Sequence, residues 1–171
     1  MTNKIIDIKN LTKKFFFNKD ELVILNNTNF NLNQNNIVSI MGPSGSGKST
    51  FLNIIGLLDS DYNGEYLFFN NDVKNINDTK KNILRNSYIG FVHQFFHLIP
   101  ELTVWENVAL PNMINNKSAM EKAKKLIKKF GLIERINFKP LNLSGGEQQR
   151  VAIARALIND PKIIIADEMT G

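Results

Sequence analysis

Apolar and polar residues alternate at the start of the chain and later condense into runs, and each change of period marks an element. Residues 5–8 and 22–32 alternate with period two and predict half-buried antiparallel strands. The unbroken apolar stretch 37–41 predicts a strand buried on both faces. Phe51, Leu52, Ile54, Ile55 and Leu58 then fall at helical spacing, and Tyr62-Asn63-Gly64 supplies turn chemistry ahead of a short strand over 65–69. A helix over 78–85, a strand over 88–92 and a helix over 102–110 follow, the last bracketed by Pro100 and Pro111. Ala119, Ala123, Leu126, Ile127 and Phe130 recur at helical spacing between a Ser118–Glu121 capping box and a closing Gly131. Past a loop at Pro140, Ser144 opens a long helix through Ile158, and residues 162–166 predict a final buried strand. Strands alternating with helices predict an α/β architecture with a largely parallel core. The stretch 95–143 reads as a helical insertion between strand-bearing halves, and there is no internal repeat.

Composition narrows the function classes. A chain of 171 residues suits one domain burying about 70% of its unfolded surface. At 43% hydrophobic it is not a disordered chain, and with no cysteine it has neither a disulfide framework nor a catalytic thiolate nor cysteine-bound zinc. The net charge of +5 raises the question of nucleic acid. Its densest source, Lys117, Lys122, Lys124, Lys125, Lys128 and Lys129, lies mostly on the polar face of one amphipathic helix. That is a solvated face, and no nucleic-acid partner is expected. Asparagine and lysine are over-used as A/T-rich codons would dictate. No apolar run approaches the roughly 20 residues of a membrane span, and the N-terminus lacks the apolar region of a signal peptide. A soluble, intracellular domain is expected.

Three stretches carry chemistry. Gly42-Pro43-Ser44-Gly45-Ser46-Gly47-Lys48-Ser49 fits G-x-x-x-x-G-K-S/T between a predicted strand and a predicted helix. Its glycines let backbone N–H groups curl around phosphate oxygens, and the helix that follows adds the positive end of its dipole. Lys48 brings a point charge for β- and γ-phosphates, and Ser49 a hydroxyl for magnesium. At the other end, Ile163-Ile164-Ile165-Ala166-Asp167-Glu168 delivers two carboxylates at the end of an apolar strand. Asp167 suits the magnesium shell and Glu168 a water-orienting base. Between them lies Leu143-Ser144-Gly145-Gly146-Glu147-Gln148-Gln149-Arg150, whose Ser144 and Glu147 form a capping box. Capping leaves Gly145 and Gly146 unexplained; paired glycines at a helix N-terminus expose N–H groups to an anion such as a γ-phosphate.

In these motifs and their order the whole chain resembles the ATP-binding subunits of ABC transporters. Gly42 to Ser49, with Thr50 behind it, resembles Walker A, Gln94 the Q-loop glutamine, Leu143 to Gln148 the signature and Ile163 to Glu168 Walker B. The resemblance implies an α/β P-loop NTPase fold with an antiparallel β subdomain and a helical insertion. It implies one nucleotide-binding domain over 1–171, with a helical subdomain at about 95–143. ATP and Mg2+ are the implied cofactors: Gln94 and Glu168 act in catalysis, and Ser49, Gln94 and Asp167 surround the metal. Phe15 sits where the family places an aromatic on adenine, with a plain core phenylalanine as the alternative. Two such subunits are implied to sandwich ATP, Walker A of one facing Ser144, Gly145 and Gly146 of the other. Integral membrane permease subunits are the implied further partners, dockable near Gln94, at the cytoplasmic face of the inner membrane.

Residues 94–100 and 103–108, with the ending Ala166-Asp167-Glu168-Met169-Thr170-Gly171, look most like the lipoprotein-releasing subgroup and its macrolide-exporter relatives. Met169 departs from the family's proline, so the turn loses a fixed φ. The family continues past the position of Gly171 into a D-loop, a strand and a switch histidine, and neither His93 nor His97 stands where that histidine would; both read as surface or helical-insertion residues. Residues 1–171 alone are therefore expected to be poorly stable and inert in hydrolysis, with unpaired strand edges at 37–41 and 163–166. The rival readings are a soluble ABC-type ATPase acting on ribosomes or DNA, and a truncated remnant without catalysis.

Overall fold

In the computed structural model, which describes residues 4–18, 20–113 and 119–167, the opening alternation becomes a long hairpin. Strand β1 (Lys4–Phe17) pairs antiparallel with β2 (Asp20–Asn33) on one side and β3 (Asn63–Phe68) on the other, and a short β4 (Asn71–Asp72) completes the sheet. The ladder slips at several points along β1, and side chains take over the hydrogen bonds there. The Asn10 N–H donates to Asn29 Oδ1 at 2.9 Å, and the Asn27 N–H to Thr12 Oγ1 at 3.1 Å. Asn10 and Asn27 both hold left-handed backbone, which asparagine tolerates. The asparagine excess thus has a structural use.

The sheet buries Ile6, Ile8, Leu11, Tyr66 and Phe68. Helix α1 (Lys48–Ile55) closes this core. Ile54 is fully buried, Phe51 meets Phe30 edge-on with centroids 5.3 Å apart, and the Tyr66 hydroxyl donates to the Ile55 carbonyl at 2.7 Å. These elements belong to the first of two compact units, Met1–Ile83.

Helix α2 (Asp78–Tyr88) leads into the second, Leu84–Gly171. There β5 (Ile89–Val92) and β6 (Ile163–Ala166) pair in parallel, Val92 opposite Ala166. Helices α3 (Val104–Met113), α4 (Ala119–Lys129) and α5 (Gly145–Leu157) enclose a core that includes Val108, Ala123, Ile127, Leu132, Val151 and Ile158. A Thr103–Glu106 capping box starts α3. Helix α4 stops at Gly131 (φ 69°), with the Leu132 N–H on the Ile127 carbonyl and the Gly131 N–H on that of Lys128, a Schellman ending. Lys124, Lys125, Lys128 and Lys129 face solvent as expected, while Lys122 pairs with Asp160 at 2.7 Å. Ser118 and Lys117 lie outside the described residues.

Three expectations need correction. Residues 37–41 join no sheet among the described residues, and Ile37 is 98% exposed. An apolar run becomes a buried strand only when neighbouring strands take up its N–H and C=O groups, and among the described residues β5 and β6 pair only with each other. Strand β6 is buried on one side only, with Ile164 facing outward. Pro111 does not end its helix: α3 runs on to Met113, with the proline inside its last turn.

Helix α5 lies so close on β5 that a Cβ at Gly90 would press into the Ala156 carbonyl oxygen and approach Ile164 Cδ1 to 2.9 Å. Backbone cannot yield as a side-chain tip would. Gly90→Ala is expected to cost about 1–3 kcal/mol by overpacking. Urea unfolding should show a lower midpoint at unchanged slope.

Candidate functional site

The loop between residues 42 and 48 is built to present N–H groups. Gly45 (φ 79°) and Gly47 (φ 88°) hold left-handed backbone that side-chain-bearing residues adopt at a cost. The Ser46 N–H closes a turn onto the Pro43 carbonyl at 3.3 Å, and α1 starts with Gly47 as its N-cap. The first intrahelical bond runs from Phe51 N–H to the Gly47 carbonyl, so the N–H groups of Gly47, Lys48, Ser49 and Thr50 have no acceptor within the helix. Neither a capping side chain nor an acidic residue competes for them. The Lys48 ammonium is held at the loop by the Gly42 and Pro43 carbonyls, 2.9 Å from each. Ser44 and Ser49 are exposed, as are Gly42 and Ser46. Unquenched donors, a helix N-terminus and one ammonium match the donor set that a polyphosphate needs.

Phe15 is 47% exposed, which removes the core alternative for it. Behind it lies a residue that the sequence reading passed over. Lys13 is 3% exposed, and its ammonium bonds Asp59 at 2.9 Å and Asp61 at 3.1 Å while standing 4.9 Å from the Phe15 ring centroid. Burial opposes its charge, but the two aspartates outweigh it and raise the Lys13 pKa. The alternation of β1 carried the signal: Lys13 shares a period-two row with buried Leu11 and with Phe15.

In the second unit, Gln94 and Asp167 leave the C-terminal ends of neighbouring parallel strands, where open α/β sheets bind ligands. The Asp167 N–H donates to the Val92 carbonyl at 3.0 Å, carrying the ladder one residue past β6. His93 is half-buried, stacked on Phe91 and 4.7 Å from His97 between ring centroids. Within this unit, Gln94 and Asp167 carry oxygen donors of the hard kind that suits magnesium. Glu168 lies outside the described residues.

Ser144 caps α5 as expected. Its hydroxyl accepts from the Glu147 N–H at 3.3 Å, and its own N–H donates to Glu147 Oε2 at 2.8 Å. Gly145 and Gly146 are exposed at the first positions of the helix. Bonds from the Ser144 backbone and then its hydroxyl, with Arg135 beside them, hold the Glu147 carboxyl below its ordinary 4.5. A depressed carboxyl stabilises the cap above that ordinary value and loses the effect as pH falls through its folded pKa. In an NMR titration the Ser144 amide shift should move with a midpoint below 4.5 and stay flat in Glu147→Gln.

A family model described as ABC transporter matches residues 25–171. The lipoprotein-releasing system ATP-binding protein LolD of Rickettsia bellii is 45% identical over 174 residues, covering 100% of this chain and 76% of its own length. The uncharacterized ABC transporter ATP-binding protein YvrO of Bacillus subtilis is 44% identical, covering 98% and 74%. A dimeric structure of the ATP-binding cassette MJ0796, in a post-hydrolysis state with ADP and Pi, matches with a TM-score of 0.87 at 44% identity, over 94% of this chain and 72% of that one. Among the described residues no helix is long and apolar enough to cross a membrane. The chain has the fold of a P-loop ATPase and belongs to the ABC transporter family, as an ATP-binding, ATP-hydrolysing subunit.

Proposed function

We propose that this subunit powers the release of lipoproteins from a membrane, working from the cytoplasmic face of the inner membrane with integral membrane partners. The observation that carries it is likeness to LolD proteins of several bacteria, at 41–45% identity over 98–100% of the chain. In this reading Gly42, Ser44, Gly45, Ser46, Gly47 and Thr50 cradle the phosphates of ATP, Lys48 neutralises the β- and γ-groups, and Phe15 stacks on adenine. Ser49, Gln94 and Asp167 would hold magnesium, which supplies charge neutralisation at the phosphates when bound. Glu168 orients the attacking water. Ser144, Gly145 and Gly146 act on nucleotide held by a second copy; the dimeric form of MJ0796 supports such pairing.

The substrate is tested with the protein in its natural length, co-purified with its membrane subunits and placed in vesicles. An acylated lipoprotein should stimulate ATP turnover and be released, while the same polypeptide without acyl chains should do neither. Stimulation by a macrolide, with no response to lipoprotein, would overturn the assignment in favour of drug export.

A further inference from the structure

Ten non-glycine residues hold positive φ among the described residues, and most have a local reason. Five are asparagines. Phe69 and Asn70 form the two-residue turn between β3 and β4, and Leu57 sits at the C-terminal stop of α1. Phe96 (φ 57°) and His97 (φ 45°) have no such excuse: they are consecutive, bulky and in no hairpin. Backbone of this kind persists only where its surroundings over-determine it. Here the agent is Arg155 on α5, whose Nη2 donates to the Phe96 carbonyl at 2.6 Å and whose Nη1 donates to the His97 carbonyl at 2.7 Å. The same turn is closed from within by the Phe96 N–H on the His93 carbonyl at 3.0 Å, and Gln94 is its second residue.

We propose that Arg155 is a positioning residue for Gln94: its guanidinium fork holds two successive carbonyls and thereby fixes the turn that presents Gln94 at the end of β5. The proposal rests on the assignment of Gln94 to the catalytic site. The planar fork offers two paired donors, and each meets one of the two successive carbonyls. Burial lowers the Arg155 pKa, and the Phe96 and His97 carbonyls accept from its guanidinium. Its place at the last turn of α5 also ties this turn to the helix that begins at Ser144.

The test compares Arg155→Lys, Arg155→Met and Gln94→Ala in the protein at its natural length. Arg155→Met should speed hydrogen exchange of the Phe96 amide and lower kcat by about 10²-fold, the scale of an ångström of misplacement. KM for ATP should change little, since the phosphate loop is untouched. Arg155→Lys should fall between the two and recover part of kcat, and it carries the test if Arg155→Met fails to fold. Parent kcat in both Arg155 variants beside a crippled Gln94→Ala would overturn the clamp while leaving the Gln94 assignment standing. Parent kcat in Gln94→Ala would overturn that assignment, and the proposal with it. Equal loss in Arg155→Lys and Arg155→Met, with KM rising in step, would reduce Arg155 to a folding role.

Discussion

Lys48→Ala is expected to weaken ATP binding by about 10- to 100-fold, the equivalent of the roughly 1.5–3 kcal/mol that a hydrogen bond to a charged group contributes. The loop should survive the change. Lys48 bonds only carbonyls at the loop's own start, 2.9 Å away, and it occupies the first position of α1, where alanine is favourable. What disappears is the only ammonium of the 42–49 loop, leaving the N–H groups of Gly47, Lys48, Ser49 and Thr50 to meet the phosphates without a compensating full charge. A fluorescent-nucleotide titration, with circular dichroism as the control for folding, measures this. Unchanged affinity in a folded variant would place the nucleotide elsewhere.

Glu168→Gln is expected to separate binding from hydrolysis. The substitution keeps size and hydrogen-bonding reach and removes the base, so turnover should fall by about 10²- to 10⁴-fold, the usual contribution of a positioned general base. ATP affinity should stay near that of the parent, because the phosphate loop and Lys48 are intact. The position follows Asp167 directly, and Asp167 is still hydrogen-bonded to β5 through the Val92 carbonyl. Asp167 thus leaves the sheet at the strand end used for ligands. Phosphate release under saturating Mg-ATP reads the effect. Parent-rate turnover would mean that another group activates the water.

Local signals in the chain were reliable where one residue type has one physical use. Ser144 and Glu147 announced a capping box and the structure holds it; Gly131 announced a helix stop and closes a Schellman turn; the alternation of 5–8 and 22–32 announced antiparallel strands, the first of which runs on to Phe17. The glycines of residues 42–49 announced a tightly curled loop, and the left-handed Gly45 and Gly47 supply its curvature. Signals failed where the outcome depends on distant partners. Residues 37–41 carry the pattern of a buried strand, yet a strand is defined by neighbours, and none among the described residues takes up their backbone. Arg155 looks in the sequence like one more polar residue of an amphipathic helix. Its acceptors lie 58 and 59 residues away on a turn whose left-handed backbone no local residue type foretells. Lys13 was legible in principle, as a lysine in an apolar row, but its aspartate partners lie 46 and 48 residues on.

The claim on which the rest depends is that two copies enclose ATP, each offering its phosphate loop to the N-terminus of the other's α5. Light scattering of Glu168→Gln at natural length, with and without Mg-ATP, tests it most directly. The account predicts a monomer that doubles in mass with ATP and fails to do so when Ser144→Arg is added, although that double variant still binds nucleotide. A Glu168→Gln protein that binds ATP tightly and stays monomeric at every concentration would contradict it.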